Sequence, residues 1–99
     1  MSSEAKIEEK IAVSVQPPKM WKVVFLNDDQ TPMEFVIDLL TGIFKHNESS
    51  ARDLTLEIHN TGSAVVGIYS HEIAEHKGME STTLARANQF PLQIIIEAE

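Results

Sequence analysis

Apolar residues along this chain switch between continuous runs and helical spacing, and the switches mark its elements. From about Lys19 to Leu26 the run Trp21, Val23, Val24, Phe25, Leu26 is aromatic and β-branched, which predicts a strand. From Pro32 to about Lys45 the apolar positions Met33, Val36, Ile37, Leu40, Ile43 and Phe44 recur three and four residues apart. That spacing predicts an amphipathic helix, and Phe35 and Leu39 widen its apolar stripe enough to bury most of it. Gly42 weakens that helix by about 1 kcal/mol relative to alanine. Asn47 can cap a second helix over about Glu48 to Thr61, with Ala51, Leu54, Thr55 and Ile58 inward and Gly62 as its left-handed terminator. The uninterrupted Ala64–Tyr69, with Gly67 in it, predicts a second strand in mid-sheet with close backbone packing. Ser70 can cap a third helix, roughly His71 to Asn88, with Ile73, Leu84 and Ala87 inward. Gly78 and Ser81-Thr82-Thr83 make that helix the weakest. Pro91 then opens the last strand, Leu92 to Glu97. The order βααβαβ predicts an α+β fold: a three-stranded, mostly antiparallel sheet with three helices packed on one face.

Composition narrows the picture. With 99 residues and 42% apolar content, one domain with one core is the expectation. Residues 1–16 carry only Ile7, Ile11, Val13 and Val15 as sizeable apolar side chains, and Pro17-Pro18 interrupts any regular structure. A mobile N-terminal extension over 1–16 and a folded domain over 17–99 are expected. The chain has no cysteine, no apolar run of membrane-span length and no signal-peptide pattern at Met1–Lys6, which predicts a soluble, unexported protein. A net charge of −7 argues against nucleic acid and suits a cationic ligand, although much of it is solvated surface.

The junction of the first strand and first helix, Asn27-Asp28-Asp29-Gln30-Thr31-Pro32-Met33-Glu34-Phe35-Val36, concentrates polar side chains between two apolar elements. Thr31 suits an N-cap, Pro32 the first helical position, and Glu34 can close a Thr-x-x-Glu capping box. An acidic turn before a capped helix is the simplest reading. One cap needs one side chain, however, so Asn27, Asp28 and Asp29 remain as surplus acceptors. A protonated amine would suit them, at roughly 1.5–3 kcal/mol per charge-assisted hydrogen bond.

This ten-residue motif resembles the signature of the ClpS family, bacterial adaptors that pass N-degron substrates to a ClpA-type AAA+ unfoldase. Lys22 to Glu97 resembles the family's folded core, and Pro17-Pro18-Lys19-Met20 its lead-in segment. The resemblance implies a cytoplasmic, non-catalytic adaptor without cofactors, whose α+β fold is shared by the ribosomal stalk protein's C-terminal domain. It implies that Asn27, Asp28 and His59 bind a peptide's free α-amino group. It further implies that Asp29, Thr31, Met33, Val36, Thr55, Ile58 and Leu92 enclose the first side chain, which would be Phe, Tyr, Trp or Leu, with Ile or Val as further candidates. Glu72 and Lys77 match positions that touch the unfoldase's N-terminal domain, and the N-terminal extension would engage the unfoldase during transfer.

Thr55 departs from the family, which commonly places methionine there as a gate against β-branched side chains. A threonine should leave the pocket roomier and its far wall less apolar. Two other functions use the same residues. Asp28, Asp29 and His59 could be acid–base groups or metal ligands of an enzyme, but no nucleophile elbow, phosphate loop or paired-histidine motif accompanies them. A stalk-like interaction domain would have no pocket at all.

Overall fold

The strand Met20–Leu26 (β1) holds the centre of the sheet because both its edges find antiparallel partners. One partner is Ser63–Ser70 (β2), the other Gln93–Ala98 (β3), in the order β2-β1-β3. The computed structural model describes residues 19–99, so the extension expected over 1–16 lies outside the described residues. Three helices complete the fold: α1 (Met33–Gly42), α2 (Glu48–Thr61) and α3 (His71–Ala87). Alternation along β1 sends Val23 and Phe25, both fully buried, beneath the helices. Val24 faces the open side between its cross-strand neighbours Val65 and Ile95. On that same side Lys22 lies 3.9 Å from Glu97, a solvent-exposed pair of little energetic weight.

The mid-sheet placement expected for the second strand is wrong: β2 is an edge. Its unbroken apolar character comes from a bulge rather than from burial on two faces. Val23 pairs with Gly67 but Val24 with Val65, which leaves Val66 as the extra residue. The bulge shifts the alternation, so Ala64 and Val66 are both buried while Val65 and Ile68 face solvent. The freed Val66 carbonyl accepts a 2.6 Å hydrogen bond from His46 Nε2. A carbonyl can only accept, so that nitrogen carries the proton. Gly67 leaves room for the outer end of the Tyr69 ring, which a β-carbon there would push aside.

Helix α2 has the expected bounds and caps. Asn47 Oδ1 accepts from Ser50 N at 2.8 Å, and Gly62 takes φ 99°. Helix α1 stops at Gly42, short of Lys45, because Lys45 turns left-handed at φ 61°. Ile43 and Phe44 stay buried beyond the helix, and the open Ile43 carbonyl accepts from Lys77 Nζ at 2.7 Å. The same ammonium lies 5.8 Å from the Phe44 ring centre and 5.3 Å from that of Tyr69, within cation–π range.

Helix α3 overturns the inner face expected for it. Ile73 and Leu84 are 48% and 42% exposed, Ala87 is exposed as well, and the buried residues are Ala74, Gly78, Ser81 and Ala85. Small residues at that spacing let the helix lie close to the sheet, and Ile94 and Ile96 on β3 supply the bulk. Gly78 and Ser81 are therefore packing positions. The buried Ser81 hydroxyl is satisfied by the Lys77 carbonyl at 2.9 Å.

A β-carbon at Gly78 would lie 3.7 Å from Ile94 and 3.8 Å from Ile96, which is ordinary contact. Gly78→Ala is therefore expected to stabilise the domain by up to about 1 kcal/mol through helix propensity. Gly78→Leu overpacks the seam and should cost about 1–3 kcal/mol. Urea unfolding of the two variants checks this, and a lower midpoint for the alanine variant would contradict the packing.

Candidate functional site

Two residues after β1, one carboxylate organises the turn into α1. Asp28 Oδ1 accepts from the Gln30 and Thr31 amides at 2.8 and 2.7 Å, and Oδ2 accepts from Thr31 Oγ1 at 2.7 Å. The capping box expected at Thr31 is therefore absent. Thr31's hydroxyl donates to a charged acceptor, the stronger bond, and the N-cap is Pro32, which has no side-chain cap bond. Glu34 turns instead toward Arg52, 4.0 Å away. Asn27 N donates to the Gly62 carbonyl at 2.9 Å, which ties the start of the turn to the end of α2.

Partial burial pushes the Asp28 carboxyl up. The Thr31 hydroxyl, the Gln30 and Thr31 amides and the positive charge of Arg86 outweigh it, and the group titrates below the ordinary aspartate value.

Behind this turn lies a hollow of about 40 Å³, bounded by Leu26, Asn27, Asp28, Thr31, Met33, Val36, Thr55, Ile58, His59 and Leu92. Val36, Thr55, Ile58 and Leu92 are buried and form its floor, while Asn27, Met33 and His59 are exposed at its rim. The residues expected to bind an amine thus stand beside those expected to enclose an apolar side chain. Asp29 is not among them; it is exposed on the turn. Thr55's hydroxyl donates to Ala51 O at 2.7 Å, so the buried polar group is satisfied within its own helix. Glu72 sits exposed in the first turn of α3, whereas Lys77 is engaged with the Ile43 carbonyl.

Two contributors escaped the sequence reading. Leu26, the last residue of β1, lines the hollow. Arg86 Nη1 donates to the carbonyls of Phe90 and Leu92, both at 2.8 Å, and so fixes the turn that presents Leu92. Phe90 is held further by an edge-on contact with Phe35, ring centres 4.9 Å apart. A basic residue in a last helical turn was the visible signal for Arg86. Its carbonyl partners belong to the next turn, which spacing does not reveal. Among the described residues no group of three or more His, Asp or Glu side chains is placed to hold a metal ion, and no helix is long and apolar enough to cross a membrane.

Comparison with known proteins agrees with this arrangement. The family described as ATP-dependent Clp protease adaptor protein ClpS matches residues 16–95. The ATP-dependent Clp protease adapter protein ClpS of Sodalis glossinidius is 46% identical over 90 residues, covering 91% of this chain and 85% of the relative. The structure of Agrobacterium tumefaciens ClpS2 bound to L-phenylalaninamide superposes with a TM-score of 0.81 at 42% identity, covering 84% of this chain and all of that one.

The Asp28 network makes a pH prediction. The folded carboxyl titrates below its unfolded value, so its contribution to stability is complete above about pH 4 and is lost as pH falls through the folded pKa. Thr31→Val removes one bond to the charged form, so the Asp28 pKa should rise and stability at neutral pH should drop by about 1 kcal/mol. Carboxylate ¹³C titration of the two proteins checks it; superimposable curves would count against the network.

Proposed function

The chain belongs to the ClpS family of Clp protease adaptors, and from that premise we propose that its hollow holds the first residue of N-degron substrates for delivery to a ClpA-type AAA+ unfoldase. The observation carrying this reading is the meeting of a charged acceptor with an apolar cavity at the β1–α1 turn. A peptide's α-ammonium has three N–H donors and asks for three acceptors. An ionised carboxylate offers about four acceptor positions, and the turn already uses three of Asp28's. The fourth is left for the ammonium, with the Asn27 carbonyl oxygen and a His59 ring nitrogen supplying the other two. An internal peptide N–H offers one donor and no charge, so such a site reads chain ends. Similarity supports the side-chain half: the Agrobacterium relative is bound to L-phenylalaninamide, a free amine with an aromatic side chain.

In this reading the first residue is Phe, Tyr, Trp or Leu, whose burial contributes roughly 1.5–3 kcal/mol over a residue left exposed. The protein is not a catalyst, since holding a chain end breaks no bond and the unfoldase supplies the work. It acts in the bacterial cytoplasm, where substrate and unfoldase are found. Glu72 and Lys77 mark the surface that meets the unfoldase's N-terminal domain, and residues 1–16 engage the unfoldase in the transfer.

Acetylating the α-amine of a Phe-initiated peptide should abolish most binding, and Asp28→Ala should do the same with the free peptide. With free peptide, affinity should fall above about pH 8, where the amine loses its proton. Fluorescence anisotropy measures all three, and equal affinity for the free and acetylated peptides would sink the proposal.

Delivery separates from holding. Deleting residues 1–16 is expected to leave peptide affinity unchanged and to stop unfoldase-driven degradation of an N-degron reporter. A large loss of affinity on truncation would place the extension at the pocket instead.

A further inference from the structure

Leu92 belongs to the floor of the hollow, yet it stands outside the sheet. It is 1% exposed, while β3 begins one residue later, at Gln93, where its pairing with β1 starts opposite Leu26. The place of Leu92 therefore depends on the turn that joins α3 to β3.

The backbone of that turn does not favour its own shape. Gln89 is left-handed at φ 61°. The amides of Gln89 and Phe90 donate back to the carbonyls of Arg86 and Ala85 at 3.0 and 2.9 Å, a helix ending in which glycine is the usual left-handed residue. A β-carbon makes that conformation unfavourable, so Gln89 must be kept in it by its surroundings. Pro91 follows and has no N–H with which to help.

Two contacts hold the turn from outside. The Phe90 ring meets Phe35 of α1 edge-on, with ring centres 4.9 Å apart. Arg86 Nη1 donates to the carbonyls of Phe90 and Leu92, both at 2.8 Å, and so bridges Pro91. These two bonds are charge-assisted, and the second grips the backbone of Leu92 itself. Arg86 is not part of the hollow's lining.

We propose that Arg86 is a positioning residue for the first side chain of a bound peptide: it clamps the Phe90 and Leu92 carbonyls and so keeps Leu92 where an apolar side chain can pack on it. This rests on the amine-capture reading and adds to it a residue that acts from outside the hollow.

The test uses the full chain and two peptides that differ only in beginning with Phe or Ala. Arg86 is exposed, so Arg86→Met keeps the length of the side chain, removes its donors and leaves the core as it is. The variant should bind the Phe peptide about tenfold more weakly, because Leu92 is no longer held against the ring. It should bind the Ala peptide within about twofold of the unaltered protein, since a methyl group stops short of the floor. Fluorescence anisotropy reads the first, and chemical-shift titration the weaker second. Equal losses for both peptides would mark a general loss of structure and overturn the positioning role. Two rescues separate the clamp from any other function of the side chain. Both bonds leave one nitrogen, so the ammonium of Arg86→Lys can replace it and should keep Phe-peptide affinity within about threefold. Adding Gln89→Gly to Arg86→Met should recover most of the lost affinity, because glycine takes the left-handed conformation without a clamp. Full Phe-peptide affinity in Arg86→Met, or no recovery in either rescue, overturns the clamp while amine capture stands. An unaltered protein that binds an acetylated Phe peptide as well as the free one overturns the amine-capture reading and this one with it.

Discussion

The Asp28 carboxylate, gripped by two amides and a hydroxyl from Gln30 and Thr31, is the constraint on which the site depends. It sets the direction in which α1 leaves the sheet, and so where Met33 and Val36 stand relative to Leu26. It also decides which of the carboxylate's acceptor positions remain unspent. A carboxylate bound to nothing would swing and be hydrated. One bound on three sides is already aimed, so less reorganisation opposes the arrival of a cation. The Asn27–Gly62 and Arg86–Leu92 hydrogen bonds extend the same rigidity to the opposite sides of the hollow.

Much of the architecture was legible where a residue's local chemistry and its tertiary role coincide. Asn47 and Gly62 bracket α2 because an amide acceptor and a left-handed glycine each satisfy open backbone groups nearby. Thr31 broke that coincidence. Its hydroxyl had two local partners within reach, the helix amides and the Asp28 carboxylate, and capping rules do not weigh a competing charge. The acids at the turn were surplus to a cap, as the motif suggested, but one of them spends most of its capacity inside the turn.

The remaining misreadings share a cause. Large apolar residues on α3 were assigned inward, yet Ile73 and Leu84 are exposed, and β2, expected in mid-sheet, is an edge with Val65 and Ile68 exposed. On α3 the bulk filling the seam belongs to the opposing strand, so the helix contributes Ala74, Gly78, Ser81 and Ala85, which carry little hydrophobic signal. On β2 the bulge at Val66 changes the phase of the alternation, which a period-two reading cannot anticipate. Lys77 belongs to the same class. Its spacing shows a helix surface charge, while its ammonium closes the end of α1 across 34 residues of sequence. The pocket residues stood apart, because Asn27, Asp28, Thr31, Met33, Val36, Thr55, Ile58, His59 and Leu92 do line one hollow, and only the motif's likeness to a family united residues so distant in the chain.

The position of β1 has a consequence for the order in which the protein can fold. Trp21 pairs with Ala98 and Lys22 with Glu97, so the sheet's central strand is among the first described residues translated and acquires its second neighbour among the last. Until then one side of β1 presents unsatisfied amides and carbonyls flanked by Val23, Val24 and Phe25. Closing so long a loop is entropically costly, and contacts this far apart in sequence slow folding. The α1–α2 pair and the β1–β2 ladder can assemble earlier, whereas Leu92 joins the hollow only with the arrival of β3. The pocket is thus completed by the final pairing, and a nascent adaptor has no finished receptor for a chain end until its sheet has closed.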